Sequence, residues 1–230
     1  MPELMIPNRR AFIGGALAAG AALTLPACST YGGGYSLTEA VRRLLLLSSE
    51  RAFVRMTAPG GFWDQQVAQV GLNGYFGNRG NVLANILTST LFKRRLESQV
   101  ARIAVDASYR AAPIVTNAVR TVGFSNAVDL IRGGPSAATY FMRQEIGARL
   151  IDMLVPDIGT ALRVAQDPLV GQMVAGLTGV DVGGVASSFA GRVEDTIWGE
   201  IGREEAGIRA NPRSTNDALL IAALTANAAF

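Results

Sequence analysis

Few residues in this chain have the chemistry of a reactive site, and those few fall in groups. Near the C-terminus, Glu200, Arg203, Glu204, Glu205 and Arg209 stand within ten positions of one another. On a helix, Glu200 and Glu204 share a face, and Glu205 and Arg209 are spaced for an ion pair. Two carboxylates on one face can pass a proton or hold a cation, so Glu200, Glu204 and Glu205 form a possible carboxylate site. The plainer reading is a solvated, charge-patterned helix surface. A second group is Gly133-Gly134-Pro135-Ser136, a turn that opens a helix with Thr139 in its first turn. Free N–H groups at a helix start can hold an anion, which makes Gly133, Gly134, Ser136 and Thr139 a possible anion or ligand site. As a bare connector, the same turn would join two helices that Ala137 and Ala138 let approach closely. The third group is aromatic: Trp63, Tyr75, Phe76, Tyr140, Phe141 and Trp198. These residues either line a pocket for an apolar ligand or fill the core.

The absences are as informative. The chain has no histidine and one cysteine, Cys28. A Ser-His-Asp triad, a Cys-His pair and an imidazole-ligated zinc are therefore excluded. A modified Cys28 would leave neither a nucleophilic thiol nor a disulfide. No metal site, no cofactor and no catalytic residue are expected, and the protein is read as non-enzymatic. The charge balance is 21 basic against 18 acidic residues. That balance, without a clustered basic face, argues against nucleic acid as a partner.

The lone cysteine has a context. Arg9 and Arg10 precede a stretch from Ala11 to Ala27 that carries no charge. This is the order of a secretory signal, and it is short for a membrane span of ~20 apolar residues. Asn8-Arg9-Arg10-Ala11-Phe12-Ile13 resembles a twin-arginine export signal. Leu25-Pro26-Ala27-Cys28 resembles a bacterial lipobox, in which the thiol takes a diacylglycerol and the chain is cut just before it. Each buried CH₂ of an acyl chain adds ~0.8 kcal/mol of membrane affinity, so two or three chains hold a protein firmly. Ser29 resembles the residue that lets lipoproteins pass to the outer membrane. The expected organisation is a signal peptide over 1–27, a lipidated tether over 28–36 and one domain over 37–230. The expected location is the bacterial envelope, facing the periplasm, with the membrane engaged through the lipid.

The elements that must position the candidate residues read as helices. Ser36-Leu37-Thr38-Glu39 has the form of a capping box, and Leu37, Val41, Leu44, Leu45, Ala52 and Met56 follow at helical spacing. Phe62 to Gly80, rich in glycine and asparagine, reads as an irregular segment. Helical pattern resumes from Asn81 and runs from Leu96 to Val119, with Pro113 as a possible kink. Ser125 is placed to cap a short helix through Ile131. The helix after Pro135 carries Tyr140, Phe141, Ile146, Leu150 and Leu154, with Pro156 expected to break or bend it. Pro168 opens a further short helix, and Gly179 to Gly184 reads as a loop. Phe189, Val193, Ile197, Trp198, Ile201 and Ile208 mark a helix over Val185–Arg209. Ser214 or Thr215 caps a terminal helix. No two-residue alternation is sustained, so no sheet is expected. The fold class is all-α: a single irregular helical bundle of about seven to nine helices.

The stretch Ala127 to Phe141, "AVDLIRGGPSAATYF", resembles a bacterial family known as domain of unknown function 4197. Ala127, Gly133, Ala137, Ala138, Thr139, Tyr140 and Phe141 match its pattern. So do Glu204-Glu205, Ile208-Arg209, Pro212 and Arg213-Ser214-Thr215 near the end. The similarity spans about Leu37 to Leu220. It departs at Ala101 to Val105, where the family carries "NRAAE", and in a gap between Thr139 and Tyr140 that is one residue shorter. The resemblance implies an all-helical, exported, often lipid-anchored protein and implies no reaction. Three functions follow as expectations: a carrier or binder of a protein, lipid or small apolar ligand; a carboxylate-dependent hydrolase using Glu204 or Glu205; or a structural envelope component.

Overall fold

The computed structural model describes residues 33–58, 61–76, 90–164 and 182–226. Cys28, Arg9 and Arg10, the tether up to residue 32, the helical pattern from Asn81 to Ser89 and the helix expected at Pro168 lie outside them. The described residues form seven α-helices, one 3₁₀ turn and no strand. The helices are α1 (Gly33–Thr57), α2 (Phe62–Phe76), α3 (Thr90–Thr121), α4 (Ala127–Arg132), α5 (Ala137–Val164), α6 (Val182–Ala210) and α7 (Ala218–Thr225). The fold is all-α, as the apolar spacing predicts. No helix among the described residues is long and apolar enough to cross a membrane.

Helical periodicity fixes the core. In α5, Met142, Ile146, Leu150, Leu154 and Ile158 are buried at four-residue steps. In α3 the buried stripe is Leu96, Val100, Ala104, Ala107, Ala111, Val115 and Val119. Such a stripe drives a helix against its neighbours because apolar area leaves water. The most extensive contact is between α5 and α6. Small residues at the seam, including Ala138, Gly147 and Gly202, let the two backbones approach. Helix α3 packs on α2 and α5, and α2 also reaches α6.

Several boundaries differ from the sequence reading. Helix α1 starts at Gly33, so Ser36 lies inside it and is no N-cap. Glu39 instead pairs with Arg42 at 3.1 Å and Arg43 at 3.0 Å, one turn further on. The segment from Phe62 is helical to Phe76, not irregular. Its glycines appear as a break within the helix, where Gly71 takes φ 70°. Burial of Trp63 and Val67, four apart, outweighs the poor helix propensity of the segment. Trp63 donates its indole N–H to Ser108 Oγ at 3.0 Å, which ties α2 to α3. Helices α3 and α5 run on through Pro113 and Pro156. Asn126, not Ser125, sits at the start of α4, and its side chain makes no capping bond. Helix α6 begins at Val182, three residues before the expected start. Asp217, not Ser214 or Thr215, caps α7, accepting from the N–H groups of Leu219 (2.9 Å) and Leu220 (3.1 Å).

Candidate functional site

Helix α6 buries three carboxylates, and each meets a different set of donors. Glu194, Glu200 and Glu205 are all at most 3% exposed. Burying a carboxylate is costly unless charge and hydrogen bonds compensate. Glu194 and Glu205 are eleven residues apart, which is about three turns of 3.6, so both face α5. Glu200 points away from that line, toward α1.

Glu205 is saturated. Its Oε2 accepts from the N–H of Thr139 at 2.7 Å and from the Thr139 hydroxyl at 2.6 Å. Its Oε1 accepts from the N–H of Ala138 at 3.1 Å and from Arg209 Nε at 2.8 Å. Arg209 then spans to the end of α4, donating to the carbonyls of Leu130 and Ile131, both at 2.7 Å. The pair thus satisfies free N–H groups at the start of α5 and free C=O groups at the end of α4 at once. The two groups that looked separate in sequence, the Gly133–Thr139 turn and the glutamate cluster, are one construction. The anion at the start of α5 is the protein's own Glu205. Gly133 serves the tight turn, where a Cβ would lie 2.5 Å from Ala137 Cβ, while a Cβ on Gly134 would meet nothing within 4 Å.

Glu200 pairs with Arg55 of α1 and with Arg203. Arg55 also reaches Glu204 at 3.4 Å. The shared face expected for Glu200 and Glu204 is therefore real, but arginines interleave it, and Glu200 is buried rather than solvated. Among the described residues, no three of His, Cys, Asp and Glu come together to hold a metal ion.

Glu194 and Arg143 were not singled out in the sequence. Arg143 of α5 donates to Glu194 from Nε at 3.0 Å and Nη2 at 2.7 Å, and it also pairs with Asp195. Burial pushes the Glu194 carboxyl above its ordinary value, against the opposing pull of Arg143. The same carboxylate raises Arg143. Gly147 makes the room: a Cβ there would stand 2.8 Å from Glu194 Oε1. A glutamate between Val193 and Ile197, inside an apolar stripe, is the signal that could have found this pair.

Between the Glu194 and Glu205 anchors, α5 and α6 leave an open groove of about 390 Å³. On the α5 side it is lined by Ser136, Thr139, Tyr140 and Arg143. On the α6 side Asp195, Trp198 and Arg203 line it, with Gly199 and Gly202 holding the floor clear. Tyr140 is 65% exposed, unusual for a large aromatic. The expected aromatic cluster does not form one pocket. Tyr140 and Trp198 reach this groove, Trp63 fills the core, and Phe141 packs on Phe124 at 5.8 Å between centroids. The side chains of Tyr75 and Phe76 lie outside what is described. A second, more apolar groove of about 340 Å³ runs between α3 and α5, past Ile114, Val122, Ile146 and Met153.

Residues 34–224 match the family described as protein of unknown function DUF4197, and the chain belongs to it. No curated protein and no solved structure matches the chain.

Proposed function

We propose that this family member is a non-enzymatic, lipid-anchored envelope protein that binds a small ligand in the α5/α6 groove. The observation that carries the reading is the groove itself. Its volume falls within the ~300–1,000 Å³ of small-molecule sites, and polar groups from both helices converge on it beside Tyr140 and Trp198. The non-enzymatic part is supported by the state of the carboxylates. Both oxygens of Glu205 are occupied by donors, and Glu200 and Glu204 are held by arginines. A general acid or base needs a lone pair or proton within reach of a substrate. The lack of histidine narrows the remaining options.

The anchor is supported by the residues around Cys28, with Arg9 and Arg10 directing export and the outer membrane as destination. Cys28→Ser should leave an uncut precursor without lipid; a variant that matures and partitions like the native protein would overturn the anchor.

For the groove, mass spectrometry of the protein purified gently from its own envelope should reveal a bound small molecule. Gly199→Leu should lose it, because a Cβ at Gly199 meets nothing within 4 Å and the added side chain enters the groove. Equal occupancy in both proteins, or none in the native one, would overturn the reading.

A further inference from the structure

Granting that the α5/α6 groove binds a ligand, its charge balance points to the class. Arg143 faces Glu194 and Asp195, while Arg55 and Arg203 face Glu200, with Glu204 beside Arg55. With Arg192 4.0 Å from Asp195, four guanidinium groups thus meet four carboxylates, two of them fully buried or nearly so. A free anion entering the groove gains no net positive field. A cation would meet Arg143 and Arg203 in the lining. Charge therefore selects against both.

The hydrogen-bonding capacity left over is substantial. Among the described bonds and ion pairs, none engages the hydroxyls of Ser136 and Tyr140, Nη1 of Arg143, or Nε and Nη2 of Arg203. Asp195, half exposed, lines the same groove; its Oδ1 accepts from Arg143 and its Oδ2 stands 4.0 Å from Arg192 Nη1, so it offers a ligand only the remaining lone pairs of those oxygens. Guanidinium and carboxylate groups are planar and two-pronged, so each can take two adjacent hydroxyls. The arginines are also fixed from behind by buried glutamates, so little side-chain freedom is lost on binding. Beside them stand an exposed aromatic, Tyr140, and Trp198, which is 3% exposed, with Gly199 leaving open space next to it.

We infer that the α5/α6 groove recognises a ring of a neutral, soluble oligosaccharide, its adjacent hydroxyls taken by Arg143, Arg203 and Asp195 and its apolar face laid against Tyr140. Uncharged polyols satisfy planar donors and acceptors without adding charge, and their C–H faces cover aromatic surface.

The test uses the full-length chain in detergent, followed by NMR with three probes: maltotriose, tri-N-acetylchitotriose and inorganic phosphate. The chain has two tryptophans, so two indole N–H signals report. One of the trisaccharides should shift the Trp198 indole and the Gly199 and Gly202 amides at a Kd of about 1 mM or tighter, leaving the buried Trp63 indole unmoved. Tyr140→Ala and Asp195→Asn should each weaken binding about tenfold. Tyr109→Ala, an equally exposed tyrosine on α3, should not change it. If phosphate moves these signals and the sugars do not, the saccharide inference falls while the groove stands as a binding site. If no probe moves them but mass spectrometry finds a ligand lost in Gly199→Leu, the inference falls alone. If no probe moves them and nothing copurifies, both readings fall.

Discussion

Glu205 and Glu194 sit three turns apart on the same face of α6, and both are buried against α5, yet the two ends of this seam are built differently. At the Glu205 end the carboxylate meets two backbone N–H groups, a hydroxyl and Arg209, which is itself only 11% exposed and bound to two carbonyls. At the Glu194 end the partner, Arg143, is 39% exposed and shared with Asp195. Desolvation prevails there, and the carboxyl is raised. The lesson is that burial alone does not assign a role to a carboxylate. What decides is how many fixed donors meet it and whether its counter-ion is itself buried. One end is a closed clip joining α4, α5 and α6; the other borders an open groove.

The sharpest way to break this comparison is Glu205→Ala. It would leave Arg209 charged and nearly buried, with the N–H groups of Ala138 and Thr139 unmet. Removing one partner of such a pair typically costs about 3–5 kcal/mol. Urea unfolding should show a loss of that size, a large fraction of an ordinary total stability of about 5–15 kcal/mol. A loss below about 1 kcal/mol would mean that the clip carries little of the fold.

Next in size is Gly147→Ala. A methyl group 2.8 Å from Glu194 Oε1 must push the carboxylate or part the helices. Overpacking of this kind costs about 1–3 kcal/mol, against a gain of up to ~1 kcal/mol from replacing glycine in a helix. The expected net result is a lower thermal midpoint, together with a weakened Arg143–Glu194 pair visible in the Arg143 Nε resonance. A higher midpoint would show that Glu194 has slack, contrary to a carboxylate fixed between Gly147 and Arg143.

Much of this architecture is legible in the sequence, because local rules produce it. The four-residue steps of α5 and the stripe of α6 mark their buried faces, and Glu205–Arg209 follows from i, i+4 spacing. What is not legible is long-range. Glu205 lies 66 positions from Thr139, and no local pattern says that its carboxylate will supply the anion for that helix start. Arg43 likewise reaches Asp217 across 174 positions. Gly71, Asn73 and Gly74, between Phe62 and Phe76, suggest irregular backbone, since their intrinsic preference opposes helix; the burial of Trp63, bonded to Ser108, and of Val67 outweighs it. The groove is legible only in its parts. Tyr140, Trp198, Ser136 and Thr139 stand out singly, while Arg143, Asp195 and the two floor glycines acquire meaning once α5 and α6 are paired.

The smallest expected effect concerns pH, and it separates the two kinds of buried or capping acid by sign. A carboxyl raised in the folded state binds its proton more tightly there than in the unfolded chain. Its contribution to stability is therefore full below the unfolded value, and it is lost as pH rises through the folded one. Glu194 is such a group. Asp217 and Glu39 are lowered despite some burial, Asp217 by its bonds from Leu220, Arg43 and Leu219, and Glu39 chiefly by Arg43. Their contribution is present above the unfolded value and lost as pH falls through the folded one. Urea unfolding from about pH 3 to about pH 7, run on the native protein and on Glu194→Gln, cancels the common acids in the difference. That difference should move against the native protein as pH rises from the unfolded glutamate value to the folded one, and then level off. Arg143 opposes the burial, which limits the effect. Asp217→Asn, compared in the same way, should give the opposite slope at the acid end. A Glu194 difference that rises with pH would mean that Arg143 outweighs desolvation at the groove end of the seam.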